Sequence, residues 1–562
     1  MRKYISYLVF GFLSFFLIHG FAAAGVISPE LEEVLNTVAP DDEIPVIVTL
    51  ADSVDLKALI KGVEGRSRAG IIKALVNKAD ASQPPLLVAI MNKNVSNIKR
   101  FWIFNGLSFQ APADLVRELA DFPGLESVRL DATLTAPEPL PAAASIPEWN
   151  ISAVRAPELW DLGYSGQGIV VANMDTGVDP DHQDIAGKWR GGSNSWFDPH
   201  GQYDAPHDSN GHGTRTMGIM VGGDYGGTAI GMAPDAQWIA VKIYDNQDRT
   251  TLSVIHQGFQ WLIDPDGSPA TDDAPDVVNN SWGFDYNAGE CITEFEPDIE
   301  ALRAMDIAVV FSGGNTGPSL YSSVSPANNP GAFAAGAVDE DFTVANFSSS
   351  GPSACDGTVY PEVVAPGTNI RTADLTYSGT YPDSYVSVAG TSFSAPHISG
   401  AVALLRGSFP DASAAAIETA LQDSALDLGE TGPDNVYGYG LLDTLAAYEM
   451  LASATPLCQD SDGDGYFAGG DSCGPKDCND DDRSINPGAC DIKGDGIDQD
   501  CDGTDRSKGK PCPVAADPVD PGDDPTGVEG KGKTCEDGID NDGDGLTDCD
   551  DPDCSRNKSC RN

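Results

Sequence analysis

The chain has 562 residues, with 33 Lys and Arg against 85 Asp and Glu, for a formal net charge of −52. That balance excludes a nucleic-acid binder, because neutralising phosphates takes clusters of Lys and Arg, and it leaves acidic solvated surface or hard-cation binding as the meaning of the Asp-rich blocks. The length suffices for about three to four domains at ~150 residues each.

Arg2 and Lys3 precede an apolar run from Leu8 to Phe21, and Ala22-Ala23-Ala24 follow. This pattern predicts a secretory signal peptide over residues 1–24, cut after Ala24. The apolar run falls short of the ~20 residues that span a bilayer, so a membrane anchor is the weaker reading. The mature protein is expected outside the cell or at its surface, without a membrane span. The 12 cysteines fit that oxidising compartment. Cys291 and Cys355 lie mid-chain, six more lie between Cys458 and Cys512, and four between Cys535 and Cys560. Each group is even and could close its own disulfides; the pairing stays open.

Residues 25–132 read as a small α+β domain. Pro45 to Leu50 is a strand, Ala69 to Ala79 and Pro85 to Ile98 are helical, and Arg100–Phe104 with Leu107–Gln110 form a hairpin around Asn105-Gly106. Ala113–Asp121 is a short amphipathic helix and Leu125–Leu130 a closing strand. Residues 133–147 are Pro/Ala-rich, an extended and cleavable linker. From 148 to 455, apolar strands (Gly168–Met174, Trp238–Ile243, the flanks of Val277-Val278, Ile307–Phe311, Ala332–Val338) alternate with helical segments. Runs buried on both faces predict an α/β domain with a mostly parallel central sheet and helices on both faces. Its functional residues should sit where strands end at their carboxyl edge. Beyond it lie an Asp/Cys-rich module (456–512), a Pro/Asp/Gly-rich flexible linker (513–534) and a second Asp/Cys-rich module (535–562).

Three residue types in the α/β domain are those that nucleophilic catalysis needs. Asp175 ends the strand from Gly168 and is followed by Thr176-Gly177. A carboxylate held there suits the orienting of a histidine, although an isolated Asp at a strand end is more often a turn former. His212 lies between glycines that permit close approach, while the histidines at 182, 200, 207, 256 and 397 read as surface or packing residues. Ser392 lies in Gly390-Thr391-Ser392-Phe393-Ser394-Ala395-Pro396-His397, ahead of the apolar run Ile398–Leu405, at a helix start whose free N–H groups favour an anion. A capping serine is the plainer reading of that residue alone. Asn315, in Ser312-Gly313-Gly314-Asn315, could add a second donor for an oxyanion. Ser281-Trp282-Gly283, with Ser312, Gly313 and Gly314, could line a substrate cleft. Histidine spacings typical of zinc hydrolases do not occur.

The order Asp, His, Ser and the sequence Gly-Thr-Ser-Phe-Ser set this constellation apart from α/β-hydrolases and chymotrypsin. Residues 148–450 resemble the subtilisin-like serine peptidases (subtilases), with some likeness to their bacillopeptidase-like branch. The resemblance implies a secreted endopeptidase using Asp175, His212, Ser392 and Asn315. It implies that 25–132 is an intramolecular inhibitory propeptide, cut autocatalytically near Ala142–Trp149, and that protein or peptide chains are the substrates. Arg215 and Phe393 depart from the histidine and methionine frequent at those places in the family.

In the tail, Asp460, Asp462, Asp464, Gly465 and Asp471 occupy positions 1, 3, 5, 6 and 12 of a calcium loop. Asp540, Asp542, Asp544, Gly545, Asp548 and Asp551 repeat the spacing, and Asp498, Asp500 and Asp502 begin a third loop. Flanking helices are missing and cysteines lie close by, so the segment resembles the disulfide-braced calcium modules of secreted bacterial proteins rather than an EF-hand. Calcium is therefore the expected cofactor. A calcium-dependent surface or adhesion protein with an inactive peptidase-like domain is the competing reading.

Overall fold

A computed structural model describes residues 26–61, 68–91, 93–136, 140–141 and 148–454, and in the tail 462–464, 466, 476–479, 482–489 and 497–501. Residues 1–24, read as a signal peptide, lie outside the described residues. The chain divides into two compact units, 1–455 and 456–562.

The first unit opens with a five-stranded sheet. Its strands are β1 (Val26–Ile27), β2 (Glu43–Leu50), β3 (Ser96–Phe101), β4 (Gly106–Pro112) and β5 (Leu125–Leu130), in the spatial order β1-β5-β2-β4-β3. Residues alternate across β2 as a strand requires. Val46 and Val48 enter a core with Leu31, Leu86 and Val116, whereas Ile47 faces the opposite side with Ile71, Ile72 and Leu75 of the helix Arg68–Ser82. The hairpin is there, but its turn is Trp102–Asn105 and not the two-residue Asn-Gly turn expected. Asn105 is left-handed (φ 54°), and a Cβ on Gly106 would meet the Val48 carbonyl at 2.5 Å. The longer turn drives Ile103 and Phe104 into the next layer. The helix expected over Pro85–Ile98 stops at Ile90, because Ser96 to Phe101 pair with β4.

Of the segment read as a linker, residues 133–136 and 140–141 are described, and both pieces contain short strands. The strand β6 (Thr133–Thr135) and the two-residue β7 (Leu140–Pro141) pair with strands of the following domain. That domain is built on seven strands: β8 (Val170–Asp175), β9 (Trp196–Phe197), β10 (Gln237–Lys242), then, after β11 (Arg249–Thr251), β12 (Val277–Asn280), β13 (Ala308–Ser312), β14 (Phe333–Val338) and β15 (Val363–Pro366). They pair in parallel in the order β15-β14-β13-β12-β8-β10-β9. A smaller antiparallel pair, β16 (Ile370–Ala373) and β17 (Tyr385–Ala389), leads into the serine turn. β6 lies antiparallel to β11 and β7 to β17.

Each sheet face has its own core. Ala308 and Val310 of β13 pack with Ile398, Val402 and Leu405 of the helix Ala395–Ser408 on one side. Val309 and Phe311 pack with Phe259 and Leu302 on the other. The first five-stranded domain adds Phe101, Ile103 and Phe104 to this second core, so it is docked through a shared apolar layer. Arg129–Glu294 (2.7 Å) and Arg68–Asp272 (2.8 Å) rim the contact. Cys291 and Cys355 are joined across 64 residues, a pairing that spacing left open. Among the described residues, no helix is long and apolar enough to cross a membrane.

Candidate active site

Asp175 is the last residue of β8, at the carboxyl edge of the parallel sheet, and is 1% exposed. His212 opens the helix His212–Val221. Its Nδ1 lies 2.8 and 3.0 Å from the two Asp175 carboxylate oxygens, so Nδ1–H is the donor to the carboxylate. Nε2 is buried and has no hydrogen-bond partner among the described residues. The flanking glycines make this approach possible. Gly211 is left-handed (φ 97°), and a Cβ on Gly213 would lie 2.1 Å from the Gly177 carbonyl. The Gly213 N–H donates to Thr176 Oγ1 at 2.9 Å, locking the histidine loop to the end of β8.

Ser392 sits in a single 3-10 turn, Thr391–Phe393, just ahead of the helix Ala395–Ser408, and not at the first position of that helix. The turn packs on the histidine's helix, with the Phe393 and His212 rings 5.5 Å apart between centroids. Ser281 clasps it: its hydroxyl donates to the Ser392 carbonyl at 2.7 Å, and the Ser392 hydroxyl donates to the Ser281 carbonyl at 3.3 Å. Asn315 accepts at Oδ1 from the Thr391 N–H (2.9 Å) and Oγ1 (3.0 Å). Its oxygen is thereby committed, and its amide Nδ2 is left as the donor beside the serine turn.

His397 is fully buried, the packing alternative of the sequence reading. Nδ1 lies 2.8 Å from the Phe393 carbonyl and Nε2 lies 2.8 Å from the Asn150 amide. With Asn150 donating to Nε2, Nδ1–H holds the carbonyl that follows the serine. Burial pushes the imidazole down to about 4, so it stays neutral. The sequence does carry a signal for it, the histidine one helical turn past Phe393, but its partner is 247 residues away.

A cleft of about 520 Å³ is lined by Ser281, Trp282, Gly283, Ser312, Gly314, Asn315 and Ser392. Two of the expected wall residues act otherwise. The Trp282 ring is buried against Phe259, Phe295 and Phe311, so only its backbone faces the cleft. Gly313 turns its carbonyl to the Tyr360 hydroxyl at 2.5 Å and lies behind the wall. Thr135 and Ala136 also line this cleft, and the Ala136 N–H donates to the Asp248 carbonyl at 2.8 Å. Arg215 pairs with Asp374 at 2.8 Å, away from the serine turn.

In the second unit, Asp462 and Asp464 come together with Asp477, their ligand atoms within 4.8 Å of one another, a group able to hold a metal ion. Asp464 also accepts from the Asn486 amide at 2.7 Å. Asp477, 2% exposed, was not among the expected ligands. Asp498 and Asp500 are described but do not join this group. Asp460, Asp471, Asp502, Asp540, Asp542, Asp544, Asp548 and Asp551 lie outside the described residues. Cys478 and Cys501, which adjoin Asp477, are bonded to each other and offer no thiolate.

Two known families match parts of the chain. Residues 166–440 match the "Subtilase family", and residues 477–505 match a family described as a "Putative metal-binding motif". The chain is 34% identical over 433 residues to Bacillopeptidase F of Bacillus subtilis (strain 168), covering 70% of this chain and 29% of that protein. It is 34% identical over 306 residues to Subtilisin BL of Lederbergia lenta, covering 54% of this chain and 99% of that protein. An alkaline protease of Alkalihalobacillus alcalophilus is 32% identical over 342 residues, 61% of this chain and 78% of that protein.

Proposed function

The chain belongs to the subtilase family and is a subtilisin-like serine endopeptidase; from that premise we propose that Asp175, His212 and Ser392 carry its chemistry. The observation that carries the reading is His212, whose Nδ1 is spent on a buried carboxylate while Nε2 is left without a partner beside the serine turn. The Ser392 hydroxyl attacks the peptide carbonyl and gives its proton to His212 Nε2. Asp175 keeps the tautomer and stabilises the imidazolium. The oxyanion takes hydrogen bonds from Asn315 Nδ2 and the Ser392 N–H. His212 then protonates the leaving amine, and water attacks the acyl-enzyme by the same route in reverse. Extended substrate pairs with the backbone of the Ser281–Gly283 wall.

We assign residues 25–132 as a propeptide and 133–147 as the segment through which it is released. The pairing of β6 with β11, and the presence of Thr135 and Ala136 in the cleft, support an uncleaved chain that blocks its own site. Release must fall before Asn150, since the Asn150 side chain is buried against His397. The N-terminal signal pattern and the Cys291–Cys355 bond support export to an oxidising compartment. In the tail the candidate donors are three carboxylates, with both nearby sulfurs tied up, a hard set that favours calcium over a thiophilic metal. Ser392→Ala tests the assignment: casein hydrolysis and labelling by a fluorophosphonate probe should both vanish, and normal turnover in that variant would refute it.

A further inference from the structure

A lysine is buried at the end of β10. Lys242 is the last residue of that strand and is fully buried, which lysine almost never is unless its charge is answered. Taking an ammonium out of water is costly, and its donors must then be used within the protein. Among the described residues Lys242 forms no ion pair; its Nζ donates to the Thr176 carbonyl at 2.7 Å and to the Ser209 hydroxyl at 3.3 Å. Burial pushes its pKa down, and the carboxylates of Asp208, Asp198, Asp248 and Asp245 oppose that shift. Of these, Asp208 belongs to the loop that leads into His212. Its oxygens accept from the Asn210 and Gly211 N–H groups (3.0 and 2.9 Å) and from the Thr214 N–H and hydroxyl (2.9 and 2.7 Å).

The two partners of the ammonium belong to the two segments that carry Asp175 and His212. β8 and β10 pair in register as far as Asp175 and Lys242, and the Ile243 N–H then donates to the Asp175 carbonyl at 2.9 Å. At Thr176 the chain leaves the ladder, and the Lys242 side chain takes over as donor to the next carbonyl. In the same turn the Thr176 N–H donates to Asp175 Oδ1 at 2.7 Å, the oxygen that lies 2.8 Å from His212 Nδ1. Ser209, the other partner, lies in the loop leading into His212. We propose that Lys242 is a positioning residue: its ammonium braces the Thr176 turn and the histidine loop against β10, and so holds the Asp175 carboxylate and the His212 ring in the geometry that proton transfer needs. That role presupposes Asp175, His212 and Ser392 as the reacting groups. An ammonium suits it because one atom offers three donors and can serve acceptors from different segments. A methionine would fill similar space and bridge nothing.

The test places Lys242→Met in the active full chain and in the full chain carrying Ser392→Ala, which removes self-digestion. In the active chain, kcat on a quenched peptide should fall on the order of 10²-fold, as a small misplacement of reacting groups can cost, with KM within about twofold of the parent. Fluorophosphonate labelling of Ser392 should slow by a similar factor. In the Ser392→Ala chain, thermal unfolding should stay within a few degrees of the parent, because the desolvation penalty of the ammonium disappears together with its hydrogen bonds. The downfield proton resonance of His212 Nδ1–H should shift or broaden in the same variant. Parent values of kcat and labelling in Lys242→Met would overturn the proposal. So would a loss of kcat matched by a rise in KM and a fall of roughly ten degrees in unfolding temperature, which would make Lys242 a residue of the fold alone. A parent chain that does not label at Ser392 would refute the reacting groups themselves, and the positioning role with them. Should Lys242→Met fail to fold, Lys242→Gln, which keeps a polar head in the same space, is read in the same way: a fall in kcat at unchanged KM supports the brace, and any other pairing removes it.

Discussion

Ser281 and Ser392 hold each other across the cleft, each hydroxyl donating to the other's carbonyl at 2.7 and 3.3 Å. The clasp joins the end of β12 to the serine turn, so two segments 111 residues apart move as one. Ser281 Oγ also accepts from the Asn279 amide at 3.0 Å. Ser281→Ala would remove a buried donor to the Ser392 carbonyl and leave the Asn279 amide with Asn173 Oδ1, at 3.0 Å, as its remaining acceptor. The expected cost is ~1–3 kcal/mol of stability and a fall in kcat on the order of tenfold through misplacement of the nucleophile. Urea unfolding and peptide turnover measure the two effects; a variant with wild-type midpoint and kcat would show the clasp to be incidental.

Asn315 is oriented before substrate arrives, because both hydrogen bonds to its Oδ1 come from Thr391. Asn315→Ala should therefore lower kcat on the order of 10²–10³-fold, the cost of losing one oxyanion donor. KM should hardly move, since the bond strengthens only as charge develops. A rise in KM at constant kcat would place Asn315 in substrate binding instead.

The groups proposed to react stood out in the sequence because their chemistry fixes residue type and local spacing. Asp175 needs a strand end, and His212 needs glycines that admit its ring. Long-range partners were not legible. Nothing near His397 announces Asn150, 247 residues away. Trp282 follows a strand, as a cleft residue should, yet the alternation of the strand sends its ring into the aromatic core. The tail loops were read with a twelve-residue spacing, whereas Asp477 joins Asp462 and Asp464 from further along the chain.

Processing gives a sharp chemical readout. The wild-type protein should be recovered with a mature N-terminus inside residues 133–150, and no later, because Asn150 is buried in the enzyme domain. The Ser392→Ala chain should retain the residues from 25 onward. N-terminal sequencing and intact mass decide it. A Ser392→Ala chain cut at the same place would show that another protease performs the step.

The last prediction concerns His256, read from sequence as a surface or packing residue and found fully buried where the N-terminal domain docks. Its Nδ1 lies 2.8 Å from Asp298 and its Nε2 3.1 Å from Glu294. Glu294 in turn pairs with Arg129 of the N-terminal domain, and the rings of Phe101 and Phe104 cover the imidazole from that side. Burial alone would discharge the ring, but Asp298 and Glu294 outweigh it and raise its pKa to about 9. A group bound more tightly to its proton in the folded state stabilises that state at low pH. The contribution is complete below the unfolded pKa of about 6.5 and is lost as pH rises through 9. The uncleaved Ser392→Ala chain should therefore lose several degrees of thermal stability between pH 6.5 and 9, over and above its general pH trend. His256→Gln should flatten that part of the profile, while starting lower at pH 6.5. Parallel profiles for the two proteins would show that the imidazole does not gain a proton on folding.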